Sequence, residues 1–389
     1  MIFALNAGSA SLKFALYADD RTLTQVLAGA VLTRDGETRL TIAAKGNSRP
    51  VEAEIKGDAT EPGRALPQVF DHLRRLGQTD GIAAVGHRFV HGGTAFAGPA
   101  PLNRGTLDAL TELTSLAPAH QPASLAGVAA ATAALPRAVQ VGCFDTAFHA
   151  DQPRLARLYG LPRYLSNQGI VGYGFHGLSY SYIASALQRR FGNSAGGRAI
   201  VAHLGSGVSL CAMREGRSVA TTMGFSTLDG PPMATRSGSL DPGVVLHLIQ
   251  SLGMAPQAVG EMLHQRSGLL GVSEISGDLR DLLGSDQPAA QEAIDLFVYR
   301  IGREIGSLTA TLGGLDTLVF TAGVGENSPS IRARIAETAA WLGVALDAGR
   351  NQSCHISISA AGSPVEVLVI PTDEQRSIAQ GVRAWLGRR

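Results

Sequence analysis

Apolar runs alternate with small-residue breaks along this chain, and the first break shapes the reading of the rest. Ile2 to Leu5 is apolar, Asn6-Ala7-Gly8-Ser9-Ala10-Ser11 must turn, and Leu12 to Leu16 is apolar again. Two short runs on either side of a Gly/Ser stretch predict adjacent strands joined by a loop. Ala28 to Ile42 predicts further strand, broken at Asp35-Gly36, and Asn47 to Gly63 is polar and turn-rich. Leu66, Val69, Phe70 and Leu73 fall at helical spacing within Ala65 to Leu76. Ile82 to Val85 reads as a strand, Thr106 to Leu116 as a helix, Leu125 to Leu135 as an Ala-rich buried helix, and Val139 to Phe144 as a strand. A helical pattern then covers Leu178 to Leu187.

At Ala199 the pattern begins again. Ile200 to Leu204, Gly205-Ser206-Gly207 and Val208 to Met213 repeat the strand, Gly/Ser turn and strand of the opening. An imperfect internal repeat predicts two related halves, with two such hairpins facing one another across a cleft. Asp241 and Pro242 supply an N-cap and first-turn proline for a helix over Val244 to Leu252. Glu292 to Leu312 is the longest helical pattern. Leu315 to Thr321 reads as a strand, followed by a glycine turn over Ala322 to Ser328 and a helix over Ile331 to Leu342 that Pro329 opens. A last strand, Val365 to Ile370, leads to a terminal helix ending at Leu386, with Thr372 and Gln375 placed to form a capping box.

Composition narrows the class. A chain of 389 residues exceeds what one core serves, so two domains are expected. Charged residues at 17% and apolar ones at 45% describe a soluble globular protein, and a net charge of +1 gives no electrostatic reason for nucleic acid or an anionic membrane. Cys143, Cys211 and Cys354 lie far apart and outside any C-x-x-C pattern, which predicts neither a disulfide framework nor a thiolate metal site and places the chain in the cytoplasm. The start has no basic n-region, so no secretory signal is expected, and Leu125 to Leu135 is too short to span a bilayer.

Candidate chemistry collects at the breaks. Gly8, Ser9, Ser11 and Lys13 suit phosphate oxygens, and they equally suit an ordinary hairpin turn with a surface lysine. Arg88, in Gly86-His87-Arg88-Phe89-Val90-His91-Gly92-Gly93 after a strand, is a candidate anion ligand. His87 and His91 have the i, i+4 spacing of a zinc pair, but the flanking glycines disfavour the helix that pair needs. Asp145 is a strand-end acid or a helix N-cap, and His176 an anion donor or a packed structural histidine. Arg236 lies in a loop of about twenty residues, Thr222 to Gly243, long enough to be functional. The segment from Ala322 to Pro329 follows a strand and opens a helix, a geometry that receives nucleotide phosphates. Walker-type and protein-kinase motifs are absent. Glycine turns, loop arginines, strand-end acids, Asn6 and a histidine remain, and they are the equipment of phosphoryl transfer.

The segments NAGSASLK, GHRFVHGG, LAPAHQP, FDTAFH, YGFHG, HLGSGVSL, TMGFSTLDG, TRSGSLDP, EISGDLRDL, FTAGVGEN and VIPTDEQ resemble the acetate kinase family in that family's order and spacing. The family belongs to the acetate and sugar kinase, Hsp70 and actin superfamily. The resemblance implies an α/β fold of two ribonuclease-H-like domains, each a mixed sheet with flanking helices. Residues 1–149 with 376–389 would form the N-terminal domain and 150–375 the nucleotide-binding one. It implies a cytoplasmic homodimer that moves the γ-phosphoryl group of ATP directly and in line to acetate, giving acetyl phosphate and ADP. A propionate or short-chain acyl kinase is the near alternative, and a non-transferring ATPase of the Hsp70 or actin type is a rival of another class.

Carried onto matching positions, Arg88, Asp145, His176 and Arg236 would be catalytic, and Asn6 and Glu374 would hold Mg2+, with Mn2+ able to substitute. ATP would meet Lys13, His203, Leu204, Gly205, Ser206, Gly207, Asp278, Leu279, Arg280, Gly323, Val324, Gly325, Glu326 and Asn327. The acyl group would meet Arg88, Val90, Ala119, Phe175 and Thr227. Ala10, Ser206, Gln121 and Ser239 depart from the family's serine, asparagine, asparagine and aspartate. Ala119 stands where leucine is usual, and Thr227 where proline is.

Overall fold

The structure is a computed structural model describing residues 1–8, 11–34, 36–44, 50–58 and 61–387. Ser9 and Ala10 of the first loop, and Asp35 of the expected break, lie outside the described residues. Two compact units form: Met1–Ala150 with Gly177–Tyr182 and Asp373–Arg389, and Asp151–His176 with Ile183–Thr372.

The first unit is built on strands β1 (Ile2–Ala7), β2 (Ser11–Tyr17), β3 (Gln25–Arg34), β4 (Glu37–Ala44), β5 (Val51–Glu54), β6 (Ala84–Phe89), β7 (Ala100–Pro101) and β8 (Val139–Phe144), in the order β5-β4-β3-β2-β1-β6-β8-β7. β1 to β5 form an antiparallel meander, while β1, β6 and β8 run parallel. β1 is apolar throughout because both its faces are covered. Phe3 and Leu5 pack with Leu66, Val69, Phe70 and Leu73 of the helix Pro62–Arg75, and Ile2 and Ala4 with Ile378, Ala379 and Val382 of the helix Glu374–Leu386. Gly86 has to be glycine: a Cβ there would stand 2.4 Å from a methyl of Ile378 and 2.6 Å from one of Val382.

The second unit repeats the plan in a five-stranded sheet. Its strands are β9 (Arg198–Leu204), β10 (Val208–Arg214), β11 (Arg217–Thr221), β12 (Thr317–Thr321) and β13 (Glu366–Val369), ordered β11-β10-β9-β12-β13. As β1 pairs antiparallel with β2 and parallel with β6, so β9 pairs antiparallel with β10 and parallel with β12. The long helix Pro288–Leu312 packs across β9, β10 and β11. Among the described residues no helix is long and apolar enough to cross a membrane.

Several elements differ from expectation. β5 arises inside the stretch read as turn-rich, and β6 continues through Arg88 instead of ending before it. The expected glycine turn after β12 is a short helix, Ala322–Asn327. Helices Pro256–Gln265, Gly268–Ser273 and Leu279–Leu283 had no counterpart in the sequence reading. The terminal helix is capped by Asp373, whose carboxylate accepts from the Arg376 amide, and not by a Thr372–Gln375 box.

Candidate active site

In the first unit the carboxyl ends of the parallel strands β1, β6 and β8 lie side by side, the position where open α/β sheets receive ligands. Asn6 lies near the end of β1, Arg88 near the end of β6, and Asp145 follows β8. Glu374, the first residue of the last helix, joins them. Arg88 donates to one Asp145 oxygen through Nε at 3.1 Å and Nη2 at 2.7 Å. Its Nη1 donates to Asn6 Oδ1 at 3.0 Å and lies 3.7 Å from Glu374 Oε2. Asn6 Nδ2 in turn donates to that same Glu374 oxygen at 2.6 Å.

Asp145 is only 1% exposed. Burial pushes its carboxyl above the ordinary range, Arg88 pulls it down, and the like charge of Glu374 pushes it up again, for a net upward shift. For Arg88 burial opposes the charge, but Asp145 and Glu374 outweigh it and the guanidinium is held more firmly protonated. Asp145 and Glu374 thus both lie against the Arg88 guanidinium.

His87 and His91 form no zinc pair. They lie on or beside a strand, His87 Nε2 is 2.7 Å from Gln140 Oε1, and His91 Nδ1 accepts from the Gly93 amide at 2.9 Å. Lys13 is exposed and sits opposite Asn6 in the β1–β2 register. Val90 is buried just beyond β6, whereas Ala119 is exposed in the turn before the helix Gln121–Ala134.

In the second unit the β9–β10 hairpin turns through Gly205, Ser206 and Gly207, with His203 and Leu204 buried before it. His176 adopts a left-handed backbone at φ 56°, and its ring stacks on His203 with centroids 4.2 Å apart. A Cβ on Gly207 would stand 3.2 Å from His176 Nε2 and 3.7 Å from Arg236 Nη1. Glycine therefore keeps open the space that these two donors border.

Arg236 belongs to a loop fixed from behind. Leu269 and Leu270 donate backbone N–H groups to the carbonyls of Met233 and Ala234, Ser267 donates to that of Thr235, and Ser237 donates to that of Leu263. Gly268, at φ +60°, makes this closeness possible, because a Cβ there would lie 2.1 Å from the Met233 carbonyl oxygen. The Arg236 guanidinium donates to the Thr227 carbonyl at 3.0 Å. Phe175 is buried and Thr227 half-buried in the same unit.

The segment after β12 is held just as firmly. Glu326 accepts from the amides of Ala322 at 2.8 Å and Thr372 at 3.0 Å, so it serves the backbone. Asn327 donates to the Gly323 carbonyl. Arg332, fully buried, donates to the Gly325 and Glu326 carbonyls at 2.9 Å each and to both oxygens of Asn351. Gly323 is exposed, Val324 half-buried and Gly325 buried. Asp278 caps the helix Leu279–Leu283 and pairs with the exposed Arg280, while Leu279 is buried. Arg332 and Gly268 escaped the sequence reading. An arginine between apolar helix positions and a glycine outside any motif carry no local signal of their role.

Each unit thus presents a loop arginine or strand arginine beside glycine turns, and the order of these features along the chain is that of known proteins. The sequence matches the Acetokinase family over residues 1–380. It is 46% identical to an acetate kinase of Rhodopseudomonas palustris, over 98% of this chain and 97% of that protein. It is 44% identical to one of Rhizobium meliloti, over 99% and 98%. A propionate kinase from Francisella tularensis superposes with a TM-score of 0.90 at 32% identity, covering 98% of each chain. An acetate kinase from Porphyromonas gingivalis gives 0.87 at 33% identity, covering 99% of each. Full-length likeness in both sequence and structure decides the matter: the chain belongs to the acetokinase family.

Proposed function

We propose that this chain is a reversible phosphotransferase acting on a carboxyl group, moving the γ-phosphoryl group of ATP to acetate to give acetyl phosphate and ADP. The observation that carries the reading is Arg88, half-buried and charged, with its fork divided between Asp145 and Asn6 beside Glu374. Acetate is ionised at neutral pH, so it attacks without a general base. An acetate oxygen bonds to the γ-phosphorus as the bond from that phosphorus to the bridging oxygen breaks, and the electron pair leaves on ADP. The difficulty is bringing anions together, and preorganised cations meet it. Arg88 and Arg236 orient the carboxylate and the transferring group, and His176 donates to the latter. The glycine turn at Gly205–Gly207 and the short helix that carries Gly323 and Gly325 receive the nucleotide.

The unit-one cluster suits a hydrated divalent ion. Asn6 and Glu374 offer hard oxygen donors, yet among the described residues no three His, Cys, Asp or Glu side chains gather to cage a metal. Asn6 and Glu374 would hold Mg2+ there, and the ion would supply charge neutralisation to the phosphates.

The chain acts as a homodimer in the cytoplasm. The helix Pro242–Gln250 has no buried residue although Val244 and Leu246 are about half exposed, an apolar surface suited to a second copy. Three free cysteines suit a reducing compartment.

Trapping acyl phosphate as the hydroxamate tests the reaction. Hydroxamate should form with acetate, Mg-ATP and hydroxylamine, and Arg88→Ala and Arg236→Ala should each lower the rate by about 100-fold or more with unchanged circular dichroism. Wild-type rates in both variants would overturn the reading.

A further inference from the structure

Ser209 and His203 face each other across the β9–β10 hairpin in direct register, and both meet the same ring. Ser209 Oγ lies 2.8 Å from His176 Nδ1, and the His203 ring covers the imidazole face at 4.2 Å with 19° between planes. Ser209 is fully buried and His203 nearly so. One neighbour holds the edge of the imidazole and the other its face. The opposite nitrogen, Nε2, is turned toward the space left by Gly207, which Arg236 Nη1 also borders.

A serine hydroxyl both donates and accepts, so its bond to Nδ1 selects a tautomer only together with what surrounds the ring. Around His176 the second imidazole lies against its face, and the space before its Nε2 is bordered by the Arg236 guanidinium. We propose that Ser209 and His203 are positioning residues. Ser209 donates its hydroxyl proton to Nδ1 and fixes His176 as the neutral Nε2–H tautomer, while the stacked ring of His203 holds the orientation. Nε2–H then donates to the transferring phosphoryl group as a neutral donor, and the proton stays on Nε2 throughout. Attraction without an added charge lets the group pass on to acetate instead of being retained by the enzyme. This inference rests on the phosphoryl-transfer reading of His176.

The full chain labelled with 15N-histidine gives the test, with the His176 signals assigned by their loss in His176→Gln. At neutral pH the wild type should show a protonated Nε2 and an unprotonated Nδ1. Ser209→Ala should mix the two tautomers and lower kcat roughly tenfold, the loss of about one neutral hydrogen bond, with KM for ATP and acetate within about twofold. Ser209→Thr, which keeps the hydroxyl, should restore both signals and most of kcat. A doubly protonated ring or an Nδ1–H tautomer in the wild type overturns the proposal. So does an unchanged kcat in Ser209→Ala while His176→Gln is inactive, a result that leaves the phosphotransferase reading intact. Full activity in His176→Gln would remove the assigned role of His176 and the proposal with it.

Discussion

Arg88 stands between two histidines, and neither shares its charge. Burial lowers the pKa of His87 and of His91 to about 4, so both are neutral in the folded chain at neutral pH. The unfolded chain protonates them near the ordinary imidazole value of about 6.5. Between those two values the unfolded state holds more protons, so stability rises with pH. Each histidine should cost about 1.4 kcal/mol per pH unit as pH falls below that value. Denaturant unfolding at pH 7.5 and 5.5 reads this slope, and His87→Asn should lower it; an identical slope in the variant would contradict the assignment. Ala119 gives a second residue-scale expectation. If its exposed methyl leaves room for a longer acyl chain, Ala119→Leu should lower the ratio of propionate to acetate kcat/KM by about tenfold or more. A ratio that holds or rises would count against that reading. Arg88 and Asp145 were legible in the sequence because strand patterns end at or near them. Ser209 was not, since a small polar residue inside a strand has the same sequence appearance whether it holds a histidine or merely fills space.

At the scale of elements, the segment Ala322–Asn327 shows how side chains override a local pattern. Two glycines in six residues suggest a turn, yet Glu326 caps the first amide and Arg332 gathers the last carbonyls, and a helix forms. Arg332→Met should leave those carbonyls short of donors, cost on the order of 3 kcal/mol in stability and raise KM for ATP several-fold. Calorimetry and initial rates separate the two effects, and a stability loss with unchanged KM would confine Arg332 to packing. β5 was missed for a different reason. Val51-Glu52-Ala53-Glu54 forms an exposed edge, and an edge strand need not carry the apolar alternation by which strands are recognised. The capping box failed because the Thr372 amide is already taken by Glu326, which no reading of neighbours along the chain reveals.

At the scale of the whole molecule, the duplication was legible because each copy keeps its Gly/Ser hairpin and its parallel partner strand. Membership of the units was harder to read. Gly177–Tyr182 belongs to the first unit, and the cause is contact: a Cβ on Gly177 would lie 1.9 Å from the Asp145 carbonyl oxygen. Sequence distance hides such packing. Placing charge on the exposed apolar helix, as Val244→Glu with Leu246→Glu, should shift the proposed homodimer to monomer in sedimentation velocity without unfolding the chain. A dimer that persists would place the self-association surface elsewhere.

The helix Glu374–Leu386 also sets an order of events during synthesis. Ile2, Ala4, Ala84 and Val141 are covered by Ile378, Ala379 and Val382, so strands made earlier wait for side chains made much later. On the ribosome, the lobe translated first is therefore the later one to consolidate, and a chain stalled before this helix emerges leaves the older strands with a bare, sticky flank.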